Sequence, residues 1–314
     1  MKAVMYHYVR PDGHRPPDYY YLDLDDFRRQ LDYFAAAFNL IDRKTFLEAV
    51  AGDRRLPEDA VVLTFDDGLL DHYRFVYPEL DARGLWGIFY VPTGPYRDEK
   101  LLDVHRIHLL VGRYGGAKLL DPLLDVVGEG MITDRRIEQF RTYTYRRQDD
   151  AEHTKRVKRI LNYFVAEDAR DEVLTRLEAE FSNATVDAGD YYISEDHLKE
   201  MHANGMLIGS HSVTHRVLSK LDVDEQRKEI SSSFAFLNRV LDGLSVRTFC
   251  YPYGGFHTFT DDTERLLDAS DCRFSFNVEP RDVSRSDVDD RPQALPRYDC
   301  NEFPHGDASG SLGP

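Results

Sequence analysis

The sequence of 314 residues contains only three cysteines, Cys250, Cys272 and Cys300, and they are widely separated. So few scattered thiols exclude both a disulfide framework and a cysteine-based zinc knot. We therefore expect reduced thiols, and for Cys250 the role of a small buried residue rather than that of a nucleophile.

Long apolar runs are also missing from the sequence. No stretch approaches the roughly 20 apolar residues of a membrane-spanning helix. The first ten residues likewise lack the apolar stretch of a secretory signal. The sequence predicts a cytoplasmic protein without a membrane span.

Basic residues are in deficit, with 40 Lys and Arg against 56 Asp and Glu and a formal net charge of −16. Binding to nucleic acid needs an excess of positive charge, so a nucleic-acid partner is not expected. Hydrophobic residues make up 42% of the chain and aromatic residues 12%, which is typical of a folded globular protein.

Short apolar runs that read as strands alternate with segments of helical periodicity, which is the pattern of a parallel α/β sheet or barrel. Ser194 has the character of an N-cap for a helix that closes at Asn204 and Gly205. Strands are predicted at 2–9, 60–65, 86–91, 206–210, 248–251, 272–278 and 294–298, and helices at 24–38, 75–83, 222–241 and 260–269.

Between about residues 100 and 192 the strand-like runs disappear, and charged stretches with helical periodicity replace them. We interpret residues 1–305 as a single domain that this mostly helical insertion interrupts. The insertion is expected to cap the domain or to form an interface, through which the chain can form an oligomer. The Gly- and Ser-containing tail at 306–314 is predicted to be disordered.

Two polar motifs follow two of the predicted strands. Asp66 and Asp67 come directly after the run 60–65, and His211 and His215 come after 206–210. Adjacent buried carboxylates repel each other, and a nearby cation would relieve that repulsion. One carboxylate and two imidazoles make a ligand set for a divalent metal with open positions, and the second carboxylate can then act as a base on water. The pattern predicts a metal hydrolase.

Three motifs resemble those of the polysaccharide deacetylase family, the NodB-homology or carbohydrate esterase family four group. They are Thr64-Phe65-Asp66-Asp67-Gly68, His211-Ser212-Val213-Thr214-His215, and Phe249-Cys250-Tyr251-Pro252-Tyr253-Gly254. The resemblance covers residues 1–95 and 193–300, outside the helical insertion. It implies a distorted (β/α) barrel, usually of seven strands.

The resemblance also implies roles for individual residues. Asp67, His211 and His215 would bind the metal, usually zinc, and Asp66 would be the general base. A backbone N–H near Tyr253 would help to stabilise the oxyanion. Co²⁺, Ni²⁺ and Mn²⁺ also suit a ligand set of one carboxylate and two imidazoles.

The sequence departs from the family pattern at two places. Many members have an arginine that orients the catalytic Asp where this chain has Cys250, and Arg297 is the candidate to replace it, with a structural ion pair as the alternative. The histidine that serves as general acid in the family has no clear counterpart. Four histidines are candidates without a basis for choosing among them: His7, His105, His108 and His305.

These observations predict a metal-dependent N-deacetylase that acts on a small-molecule or oligosaccharide substrate with an N-acetyl group. Two alternatives stay open. One is an amidase or deformylase acting on a non-carbohydrate C–N bond. The other is a carbohydrate-binding protein that has lost catalytic turnover.

Overall fold

The computed structural model describes residues 1–14, 19–133, 136–146, 150–181 and 186–309. Strands and helices alternate through most of these ranges, as the sequence predicts. The strands are β1 (Lys2–Tyr6), β2 (Val9–Arg10), β3 (Leu22–Asp23), β4 (Asn39–Leu40), β5 (Ala60–Phe65), β6 (Ile88–Val91), β7 (Leu207–Ser210), β8 (Arg247–Cys250), β9 (Cys272–Phe276) and β10 (Tyr298–Asp299).

Local signals in the sequence set the ends of several helices. Ser194 is an N-cap as predicted, because its hydroxyl accepts a hydrogen bond from the N–H of His197. Asp222 caps a second helix in the same way. The helices are α1 (Leu24–Ala37), α2 (Arg43–Val50), α3 (Tyr77–Ala82), α4 (Gly94–Asp98), α5 (Asp103–Val126), α6 (Ile137–Tyr143), α7 (Glu152–Arg159), α8 (Arg170–Glu180), α9 (Glu195–Ala203), α10 (Val223–Val240), α11 (Asp261–Asp268) and α12 (Arg285–Asp290).

The main sheet follows the order β10-β1-β5-β6-β7-β8-β9, with β4 paired to the first half of β5. All of these pairings are parallel. At the far edge, Phe276 of β9 forms a parallel bridge with Leu295, just before the β10 that pairs with β1. This bridge brings the two edges of the sheet together and curls it into a half-barrel.

The strand register gathers the carboxyl ends of the strands at one end of the half-barrel. Tyr6 pairs with Phe65, and Val91 pairs with Ser210. Every residue of β5 is buried, as expected for a parallel strand covered on both faces. Side chains that directly follow β1, β5, β7 and β8 must therefore lie close to one another.

The last strand was predicted at 294–298, and this prediction was wrong. β10 contains only Tyr298 and Asp299, and residues 292–294 form a 3₁₀ turn. Pro292 and Pro296 lack the N–H that a continuous ladder needs, which explains the interruption. The first predicted strand is also divided, because β1 ends at Tyr6 and β2 begins at Val9, which leaves His7 between them.

The segment 103–190 is helical throughout its named elements within the described ranges. It has a hydrophobic core of its own, in which α5 packs on α7 and α8. This core comprises Ile107, Leu110, Val111, Leu119, Leu120, Leu123, Val126, Val157, Ile160, Leu161, Val165, Val173, Leu174 and Leu177.

None of the described helices combines the length and the apolar character that crossing a membrane requires. At the other end of the chain, Ser309 forms an antiparallel bridge with Tyr21. Residues 310–314 lie outside the described ranges, so the disordered tail stays a prediction.

Candidate metal centre

Asp67, His211 and His215 come together at the carboxyl ends of β5 and β7. The Nε2 atoms of His211 and His215 lie 3.5 Å and 3.4 Å from Asp67 Oδ1. All three side chains are buried, and their ligand atoms lie within 4.8 Å of one another. Asp67 Oδ1 accepts no hydrogen bond from any described residue, although it is buried. An unsatisfied carboxylate oxygen that faces two imidazole nitrogens suits a divalent cation.

The backbone is strained where these side chains leave the sheet. Asp67, Ser212 and His215 have φ values of 77°, 65° and 56°. Tyr253, in the loop after β8, has φ of 62°. Residues other than glycine rarely adopt this left-handed region, and such strain concentrates at functional sites.

Two contacts hold in place the loop 211–215 after β7, called the histidine loop below. His211 Nδ1 lies 2.7 Å from the carbonyl oxygen of Cys250, which can only accept, so Nδ1 carries the proton and Nε2 is free to bind a metal. From α10, the Glu229 carboxylate accepts hydrogen bonds from the N–H groups of Val213 and Thr214 at 2.9 Å and 2.8 Å. Glu229 is a supporting residue that the motifs did not reveal.

Asp66 faces Arg297 in a buried pair with two hydrogen bonds. Arg297 Nη1 donates to Oδ1 at 2.9 Å and Nη2 donates to Oδ2 at 2.7 Å. Burial alone would raise the pKa of Asp66, but the guanidinium lowers it to about 2. Cys250 is fully buried, and its thiol also contacts Asp66 Oδ2, at 3.3 Å. Arg297 Nη2 also lies 2.9 Å from Cys250 Sγ, so the guanidinium reaches this position from the segment between Leu295 and β10.

Tyr253 lies beside the metal centre. Its ring centroid is 5.0 Å from that of His215, and its hydroxyl donates to Asn162 Oδ1 at 2.9 Å. Within the described part of the chain, no group accepts a hydrogen bond from its backbone N–H. That donor is consistent with the oxyanion role that the resemblance implies.

The structure distinguishes the four histidines considered as general acids. His7 is half-buried and directly follows β1, at the end of the half-barrel where Asp66 lies. His108 is turned to the hydroxyl of Tyr8, at 2.9 Å, and His305 is exposed on the loop after β10. His105 is fully buried, and its Nε2 lies 3.2 Å from Asp67 Oδ2.

The helical segment therefore contributes to the centre, which the sequence did not indicate. Burial would raise the pKa of Asp67, but His105 and the other imidazoles hold it well below its usual value. Asn162, in a π-helical turn at Ile160–Phe164, contacts Tyr253. The only signal for His105 was its place among the candidate acids, because it follows no strand and belongs to none of the three motifs.

Comparison with known proteins gives a match to a family model over part of the chain and a set of related folds. Residues 149–272 match the family model described as polysaccharide deacetylase. This match is shorter than half of the chain. It includes His211 and His215 but neither Asp66 nor Asp67. No curated protein matches the chain.

Three solved structures share the fold. A Streptococcus pyogenes deacetylase, PplD in complex with acetate, has a TM-score of 0.57 at 16% identity, over 95% of this chain and 91% of that one. IcaB from Ammonifex degensii gives 0.54 at 18%, over 95% and 91%. A de-N-acetylase from Aggregatibacter actinomycetemcomitans gives 0.52 at 15%, over 95% and 93%.

These neighbours support the predicted barrel of the (β/α)₇ type, since seven strands lie on the main path of the sheet. The resemblance to the polysaccharide deacetylase family, first indicated by three short motifs, is confirmed by the family model over residues 149–272.

Proposed function

We propose that this protein is a metal-dependent hydrolase that removes an N-acetyl group from an amino sugar or a sugar conjugate. One observation carries the proposal. A buried Asp-His-His cluster suited to a divalent metal stands beside a second carboxylate that Arg297 holds ionised. The match to the polysaccharide deacetylase model supports the substrate class.

Asp67, His211 and His215 would hold the metal, with Zn²⁺ as the first candidate and Co²⁺, Ni²⁺ or Mn²⁺ as alternatives. When bound, the metal would acidify water and polarise the amide carbonyl. Because His211 Nδ1 is committed to the Cys250 carbonyl, its Nε2 is the atom that faces the metal position.

Asp66 would accept the proton of the attacking water as the water oxygen bonds to the amide carbon. Its pKa of about 2 means that it is ionised and able to accept a proton at neutral pH. The same low pKa means that it holds the proton weakly and can pass it on.

The backbone N–H of Tyr253 would donate to the carbonyl oxygen as negative charge develops there. The C–N bond then breaks, the nitrogen takes a proton, and acetate and a free amine leave. His7 is our candidate donor for that proton, because it is half-buried and directly follows β1, at the same end of the half-barrel.

The test is acetate release from a panel of N-acetylated monosaccharides, oligosaccharides and nucleotide sugars. Metal-stripped protein is assayed with and without added Zn²⁺ or Co²⁺. Asp66→Asn is the control, because it keeps the shape of the side chain and removes the base. We expect metal-dependent acetate release that falls by at least 10²-fold in the variant.

Other results would favour the alternatives. Ammonia or formate released from simple amides, without acetate from any sugar, would indicate the amidase or deformylase. Sugar binding without product at any metal loading would indicate a binding protein. Failure of the wild-type chain to bind any divalent metal would overturn the mechanism.

A further inference from the structure

The two ends of the helical segment meet at the loop that carries Asp67. Leu70 N–H donates to the carbonyl of Tyr191 at 2.8 Å, and Ile193 N–H donates to the carbonyl of Gly68 at 2.9 Å. These bonds flank an antiparallel bridge between Leu69 and Tyr192. The chain that leaves the helical segment is therefore fastened within two residues of the candidate metal ligand.

Tyr192 connects this bridge to the beginning of α5. Its hydroxyl oxygen accepts a hydrogen bond from the N–H of Leu102 at 3.0 Å, one of the donors that a helix N-terminus leaves unsatisfied. The same hydroxyl lies 2.6 Å from Nδ1 of His105. Among the described residues, this imidazole nitrogen is the only acceptor for the phenolic proton.

The tautomer of His105 follows from that contact. Since Tyr192 donates to Nδ1, a neutral His105 carries its own proton on Nε2. Nε2 is buried and lies 3.2 Å from Asp67 Oδ2, within ion-pair distance of that oxygen. It has no other partner within the described ranges. The Asp67 carboxylate is therefore the acceptor nearest to this N–H.

The two oxygens of Asp67 have different surroundings. Oδ1 faces His211 and His215, whereas Oδ2 faces His105. We propose that His105 is a positioning residue, whose Nε2–H holds Oδ2 so that Oδ1 is presented to the metal, with Tyr192 fixing the tautomer. The proposal rests on the proposed function, because it takes Asp67 as a metal ligand.

Metal affinity gives a measure of this positioning that does not depend on turnover. Loss of an outer partner of a metal ligand typically weakens metal binding by about 10–100-fold. The measurement is the Zn²⁺ dissociation constant of the full chain, from competition with a chromophoric chelator, together with the visible spectrum of the Co²⁺ form.

Four variants complete the design. His105→Leu keeps side-chain volume without a donor, and we expect a 10–100-fold loss of affinity. His105→Gln places an amide N–H near the position of Nε2 but is a poor ligand, so affinity should stay within about 3-fold of wild type. Tyr192→Phe removes the proton that fixes the tautomer and should show a smaller loss than His105→Leu. His202→Leu, near the end of α9 and outside the candidate metal centre, should bind as wild type does.

Each result bears on a definite claim. Equal affinity of wild type and His105→Leu would overturn the positioning role. Equal losses in His105→Leu and His105→Gln, with an altered Co²⁺ spectrum in both, would make His105 a ligand and also overturn it. If His105→Leu does not fold, Tyr192→Phe and His105→Gln carry the same comparison. Absence of metal binding by wild type would instead refute the proposed function.

Discussion

The half-barrel and the helical segment at 103–190 contribute to the same site in different ways. The half-barrel presents Asp66, Asp67, His211 and Arg297 from strand ends or from the segment that leads into a strand. The helical segment has a separate hydrophobic core, as a covering element would. Yet its polar side chains reach inward, with His105 at Asp67 and Asn162 at Tyr253.

The comparison shows that an independent core does not make a region functionally separate. Apolar packing inside the helical segment fixes its own shape. The few polar contacts at its ends, through Tyr192 and His105, fix its position relative to Asp67. Variants in each region can test whether the two behave as one unit.

The largest effect is expected in the half-barrel, at Arg297. Arg297→Leu leaves the buried Asp66 without its cation, and breaking such a pair costs about 3–5 kcal/mol of unfolding free energy. Urea unfolding at neutral pH measures the loss. The control is Arg291→Leu, whose ion pair with Glu264 is half-exposed on the arginine side and contributes about 0–1 kcal/mol.

The loss of unfolding free energy in Arg297→Leu should also depend on pH in a defined direction. The pKa of Asp66 is about 2 in the folded protein and 3.8 in its ordinary state. Stabilisation by the pair is therefore present above pH 3.8 and disappears as the pH falls toward 2. Without the guanidinium, burial raises the pKa of Asp66 in Arg297→Leu. The difference in unfolding free energy between wild type and variant should therefore begin to narrow above pH 3.8 and continue to narrow toward pH 2, and a constant difference would contradict this account.

The next effect is expected at Glu229, which supports the histidine loop from α10. Glu229→Ala leaves the N–H groups of the buried Val213 and the half-buried Thr214 unpaired, which costs about 1–3 kcal/mol. Glu229→Gln retains an acceptor oxygen and should lose less. Unfolding curves together with Zn²⁺ affinity measure both variants. If Glu229→Ala were as stable as wild type, the carboxylate would not support the loop.

The third prediction tests the helical segment through its own packing. A Cβ added at Gly116 of α5 would lie 2.3 Å from the backbone N and Cα of Thr154 in α7. Gly116→Ala should therefore force the two helices apart at a cost of about 1–3 kcal/mol. Gly128→Ala is the matched control, because its Cβ would meet nothing within 4 Å.

For Gly116→Ala, amide hydrogen exchange and Zn²⁺ affinity together test whether the helical segment is coupled to the metal centre. If the segment and the site are coupled, faster exchange in α5 and α7 should accompany weaker Zn²⁺ binding. Faster amide hydrogen exchange with unchanged Zn²⁺ affinity would show that the helical segment covers the site without affecting it.

The smallest effect is expected at Tyr253. Tyr253→Phe removes only the hydrogen bond to Asn162, worth about 1 kcal/mol, and leaves the backbone N–H in place. We expect a small fall in melting temperature and a change in kcat of less than about 10-fold. Tyr251→Phe, which loses a buried bond to the Gln293 carbonyl, is the control within the half-barrel. A larger kcat loss would mean that the Tyr253 hydroxyl acts directly.

The sequence was most informative where a buried run ends in polar residues. β5 and β7 were predicted to within one residue at each end, and the side chains after them meet as expected. Arg297 was considered as the partner of Asp66 because it lies in the last predicted strand, and its side chain does contact that carboxylate, whereas its role in catalysis stays a prediction.

The contact of His105 with Asp67 could not be predicted from polar residues at strand ends. Its position depends on how α5 packs on the loop after β5 and on the bridge between Leu69 and Tyr192, which joins residues far apart in the chain. Helical periodicity shows which face of α5 is apolar, but not which group meets one polar side chain within that face. The broken last strand had a local cause, and Pro292 and Pro296 could have predicted it.

The bridge between Phe276 and Leu295 has a consequence for the synthesis of the protein. Arg297 follows this bridge and is 231 residues beyond Asp66, so a growing chain makes the carboxylate long before its cation. Until residue 297 has left the ribosome, Asp66 has no guanidinium partner, and its carboxylate has a lower free energy in water than in the protein interior. The half-barrel should therefore close, and water should leave the end that holds the candidate metal centre, only after residue 297 has been synthesised.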